Sequence, residues 1–128
     1  MFAFGSADTA FVSPRHALYP HMTVFKNVTG DLSLRGWSAD EIKARTTEME
    51  QWPWLSPIFY KACRELSEEE LYLAALARAA ASKAKSITCE PPSEHSELIT
   101  NAIEHLRSQF TITLASPFTG TAWEKQTI

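Results

Sequence analysis

The groups in this sequence able to move protons, bind metals or attack an electrophile are four histidines, two cysteines and 15 acidic side chains. Their spacing is therefore the first question. His16 and His21 are separated by four residues and flank Pro20, with no cysteine or carboxylate close by. Zinc sites recruit three or four ligands at tight spacings, so the pair reads as an exposed loop and no metal is expected. His95 and His105 would lie ~15 Å apart along one helix and cannot share a ligand or a proton. Cys63 follows Ala62 and precedes Leu66 on the apolar side of an expected helix, a buried structural position rather than an electropositive, exposed one. Cys89 is followed by Glu90, whose charge disfavours a thiolate. Glu68, Glu69 and Glu70 open a helix, and Glu97 and Glu104 fall on a wet face.

The chain has no GxSxG elbow, HExxH, dinucleotide fingerprint or phosphate-cradling glycine loop. Its four glycines, Gly5, Gly30, Gly36 and Gly120, are widely separated. No cofactor is expected, and an enzyme is the minority reading. Aromatic residues are the group that exceeds ordinary core duty. Trp52-Pro53-Trp54 lies at a helix–helix turn, with Phe59 and Tyr60 following, and Trp123 stands alone in a polar tail. Tryptophan and tyrosine on a stiff turn are typical interface anchors, so Trp52, Trp54, Phe59, Tyr60 and Trp123 are the candidate partner-binding residues. The alternative is that the rings cap the core of their own domain.

The elements that must position these rings centre on Ser67–Lys85. Ser67 and Glu70 form a capping box, three glutamates face the positive end of the helix dipole, and Lys83 and Lys85 face the negative end. The residues between are apolar on most faces and rich in alanine, which marks a buried central helix. Ser38 with Glu41 is a second capping box, stapled by Trp37 and Ile42. Ser56 with Pro57 opens a further helix. Met22–Arg35 alternates apolar and polar residues on either side of Thr29-Gly30-Asp31, the pattern of a β-hairpin. Cys89-Glu90-Pro91-Pro92 reads as a linker, and a last helix ends in the alternating strand Phe110–Ala115.

The expected fold is α+β and mainly α. Helices cover 38–51, 57–66, 67–85 and 94–110, beside a small antiparallel sheet made from the 22–35 hairpin and strand 110–115. The 128 residues form a single domain, with an irregular N-terminal arm over 1–21 and an extended tail over 116–128.

With 45% hydrophobic and 21% charged residues and a net charge of −3, the composition is that of an ordinary globular domain. The basic residues are too evenly spread for nucleic acid. No apolar run reaches the ~20 residues needed to span a bilayer, and no Lys or Arg precedes Arg15 as a secretory signal would require. A cytoplasmic, membrane-free protein with two free thiols is the expectation. The function these features favour is a non-enzymatic protein–protein interaction module: an adaptor, assembly factor or small inhibitor of a larger complex, of mobile-element or phage type. Its partner would be another protein or protein complex, with a homodimer through the alanine-rich helix as an option. The alternative is a small enzyme or small-molecule binder with a pocket between sheet and helices.

Overall fold

The structure, a computed structural model, describes residues 9–13, 18–92 and 96–114. In chain order its elements are strand β1 (Thr9–Val12), helices α1 (Val24–Leu34), α2 (Ala39–Met49) and α3 (Glu68–Ala81), strand β2 (Ser86–Cys89), helix α4 (Glu97–Arg107) and strand β3 (Thr111–Leu114). The strands form one parallel sheet in the order β1-β2-β3, with Ala10, Ile87 and Ile112 side by side. Parallel neighbours need crossover connections. Here α4 supplies one, and the three helices α1–α3 supply the other.

This architecture corrects the expected antiparallel sheet. The 22–35 segment is helix α1, not a hairpin. Val24, Val28 and Leu32 recur at four-residue spacing and are fully buried, so the helical stripe prevails over the period-two alternation that crosses it. Thr23 caps the helix by accepting from the Lys26 amide at 3.0 Å. Gly30 sits on an exposed position of α1, and burial of the stripe offsets its helix-breaking cost of ~1 kcal/mol.

No helix covers 57–66 either. Turns run through this segment, and only Cys63–Glu65 forms a short 3-10 turn. The Phe59 and Lys61 carbonyls instead accept from the Phe25 and Val24 amides, at 2.8 and 3.0 Å. They thereby satisfy donors that every helix leaves open in its first turn. The segment is spent on starting α1.

Helix α3 is the core helix, with Tyr72 through Ala77 and Ala79 through Ala81 buried. Ser67 and Glu70 exchange both bonds of the capping box, as do Ser38 and Glu41 in α2. The apolar circumference of α3 is covered within this chain by α1, α2, α4 and β1. A second copy is therefore not needed to bury it. The helix stops at Ala81, short of Lys85, and Lys83 takes a left-handed backbone with φ of 60°. That turn redirects the chain into β2, which fills the gap between the expected helix and the expected linker and takes in the linker's first residue, Cys89. Helix α4 begins after Ser96, which accepts from the Ile99 amide, and β3 follows directly. Its partner is β2. Strand β1 lies inside the segment read as an irregular arm, and the expected tail over 116–128 lies outside the described residues.

Candidate functional site

In open parallel α/β sheets, ligands meet the protein beyond the carboxyl ends of the strands. Here those ends bring together Ser13 after β1, Cys89 closing β2, and Glu90. The Glu90 amide donates to the Val12 carbonyl at 2.8 Å, extending the β1–β2 pairing by one residue. The Ser13 hydroxyl donates to Glu90 Oε1 at 2.9 Å. From α3, the Tyr72 hydroxyl donates to the Glu90 carbonyl. Glu90 is thus held through both backbone groups while its carboxylate faces solvent. Cys89 is fully buried, and burial pushes its thiol up to about 12 against the opposing pull of Arg107. Burial, followed by the proximity of Cys89 and Glu90, likewise raises the Tyr72 phenol. Both groups are neutral at physiological pH.

A second feature is a cleft of about 770 Å³ beside α1, lined by Tyr19, Met22, Asn27, Leu34, Ile42 and Arg78 among others. Leu34 is 87% exposed. The Asn27 amide, buried under the cleft, donates to the Tyr19 and Thr23 carbonyls and to Cys63 Sγ. Burial raises the Cys63 thiol, with Arg78 opposing, so this thiol too is no nucleophile.

The aromatic turn divides. Trp52 and Phe59 are core residues. Trp54 is half-buried, stacked on Trp52 at 5.6 Å between centroids, and its indole donates to His105 Nδ1 at 3.0 Å. Arg45 lies over the Trp52 ring at 5.3 Å. Tyr60 is exposed, donates to Glu50, and leans on Phe25 of α1. The Glu50 hydrogen bond, more than desolvation, raises its phenol. His21 is exposed beside Tyr19. His16, His95 and Trp123 lie outside the described residues. Among the described residues, no group of three His, Cys, Asp or Glu side chains could hold a metal ion.

No protein-family model matches the sequence. It is 37% identical over 70 residues to the sn-glycerol-3-phosphate import ATP-binding protein UgpC of Yersinia enterocolitica, covering 55% of this chain and 19% of that protein. It is 35% identical over 85 residues to the trehalose/maltose import ATP-binding protein MalK of Thermococcus litoralis. The same identity and length hold for the oligosaccharides import ATP-binding protein MsmX of Bacillus subtilis, and each match covers 66% of this chain and 23% of the relative. The chain thus spans about a fifth of the length of the curated relatives it matches. Among solved structures, CbiO1 from Clostridium perfringens, part of the ABC transporter complex CbiONQ, superposes with a TM-score of 0.72 at 18% identity. That match covers 86% of this chain and 47% of CbiO1. The fold is therefore the α/β fold of CbiO1, with a parallel sheet and not an antiparallel one. These likenesses overturn the reading as a non-enzymatic adaptor or inhibitor. They also overturn the expectation of a partner set that excludes membrane systems, since the relatives are import proteins.

In nucleotide-binding folds of the P-loop type, a GxxxxGK[ST] loop cradles the phosphates, and its Ser/Thr with an Asp holds Mg²⁺. The 128 residues contain no such loop. Magnesium demands hard oxygen ligands in octahedral array. At this sheet edge the residue closing the middle strand is a sealed, neutral thiol, and the adjoining carboxylate is bonded to a serine. The described residues do not fit a magnesium site.

Proposed function

We propose that this chain acts as part of the ATP-binding component of an importer. The supporting observation is the 35–39% identity, over 70–85 residues, to proteins that are all import ATP-binding proteins. The parallel sheet of the same fold agrees with it. In this reading the 128 residues work as one structural unit. They contribute the helical layer and the carboxyl edge of the sheet, while polypeptide other than these residues grips the phosphates. Among the described residues no helix is long and apolar enough to cross a membrane. Import then requires membrane-crossing partners, which the chain meets from the cytoplasmic side, where ATP is available. Contact falls to the accessible apolar side chains of the helical layer: Leu34 at the cleft, and Trp54 and Tyr60 on the turn. Trp52 and Phe59 support them from within, and Trp123, outside the described residues, is the remaining candidate contact.

The test is a chimera in which this chain replaces the matched stretch of MsmX. The exchange is confined to the 85 matched residues, so the rest of MsmX is kept. The expected chimera folds, associates with the MsmX transporter and binds ATP within about tenfold of the parent, a change of ~1.4 kcal/mol. A chimera that loses transporter association, while the equivalent swap from MalK retains it, refutes the reading.

A further inference from the structure

Resting on the nucleotide-fold reading above, we infer that the carboxyl edge of this sheet is closed to a divalent cation. Ser13, Cys89 and Glu90 there clasp β1 to β2 instead of forming a shell of oxygen ligands, so this chain supplies no ligand set for the metal of a nucleotide. Three observations carry the inference. Cys89 ends the middle strand with its side chain fully buried beside Tyr72 of α3, so no hydrated ion can approach Sγ without displacing the packing around it. A thiol must also lose its proton to ligate, and burial holds that proton in place. Soft sulfur is in any case a poor donor for magnesium, calcium or manganese, which take carboxylate, carbonyl and water oxygens.

The charge around the edge points the same way. Arg107 of α4 acts on Cys89, which sets a guanidinium near the place a cation would occupy. Glu90 is the carboxylate that directly follows β2. Its Oε1 is engaged by Ser13, and its carbonyl, another potential oxygen ligand, accepts from Tyr72. A carboxylate engaged by a serine and opposed by an arginine does not assemble an octahedral site, and among the described residues no group of three His, Cys, Asp or Glu side chains could hold a metal ion.

Mn²⁺ binding by the full 128-residue chain, followed by electron paramagnetic resonance without nucleotide, reads this directly and is independent of transporter association. The wild-type chain is expected to show no site tighter than ~1 mM, the weak end of protein cation sites. Cys89→Asp, which places a second carboxylate beside Glu90, is expected to bind Mn²⁺ at least ~10-fold more tightly than wild type. If circular dichroism shows that this variant does not fold, Cys89→Asn provides the oxygen donor without added charge and is expected to shift in the same direction. A single wild-type site of ~100 µM or better that Cys89→Ser or Glu90→Gln abolishes overturns the inference. A folded Cys89→Asp chain with no gain over wild type overturns it as well.

Discussion

Arg45 offers the sharpest quantitative prediction. This guanidinium on α2 is 3% exposed and spans the gap to the end of α3. Its Nε and Nη2 donate to the Ala81 and Ala80 carbonyls at 3.2 and 2.7 Å, and Nη1 donates to Glu48 at 2.9 Å. The two carbonyls belong to the last turn of α3, where a helix runs out of amide donors and its dipole is negative, and the Ala80 carbonyl also accepts from the Lys83 amide at 3.1 Å. In Arg45→Met the stem packing survives, but both carbonyls lose a charged donor. Each such bond is worth ~1.5–3 kcal/mol, and the Met side chain regains part of that through apolar burial, leaving a net cost of ~3 kcal/mol. Arg45→Lys keeps the charge but not the fork that reaches both carbonyls, so it should cost ~1–2 kcal/mol. Urea denaturation followed by tryptophan fluorescence measures both, because the Trp52 ring lies under the guanidinium. If Arg45→Met lowers stability by less than ~0.5 kcal/mol, the buried fork does not join α2 to α3 as described.

Removing the indole donor with Trp54→Phe should cost ~1 kcal/mol, and a lost 51-residue link between the turn and α4 should appear as faster amide exchange at both. An unchanged exchange pattern rules that link out. The folded chain keeps protons on Cys63 and Cys89 that the unfolded chain sheds above the ordinary thiol value of 9.0. Stability is therefore present below that value and falls as pH rises through it toward the folded value of about 12 for Cys89, by up to ~1.4 kcal/mol per pH unit per thiol. Cys89→Val should flatten this fall in pH-dependent denaturation, and a wild-type profile no steeper than the variant's contradicts it. Ser67→Ala removes the cap of the core helix and should lower the denaturation midpoint by an equivalent of ~1 kcal/mol.

The capping boxes at Ser38 and Ser67 and the buried alanine rod were legible because each is local, set by side chains three residues apart. Helix α1 was not. Its fourfold-spaced stripe coexists with an alternating pattern around Gly30, and the choice between them is made by packing against α3. Strand β2 was hidden for a different reason: Ser86–Cys89 has four residues, and the helix-forming Ser82–Lys85 before it conceals the turn at Lys83. With residues 86–88 assigned to no element and Cys89 to a linker, Glu90 and Ser13 could not be seen as neighbours, since 77 residues separate them. One signal was available. Thr9–Val12, Ser86–Cys89 and Thr111–Leu114 are short β-type runs separated by helical segments, the alternation that specifies a parallel sheet. The Trp54–His105 pair is a product of folding alone and has no trace in spacing.

The candidate site depends on three parallel strands, with Glu90 at the carboxyl end of the middle one. Backbone NMR of the chain tests this most directly. Helical carbon shifts across Val24–Leu34 and cross-strand contacts linking Ala10 to Ile87 and Ile87 to Ile112 in parallel register are the expected result. Contacts that pair residues 22–28 with 29–35 as an antiparallel ladder would contradict it.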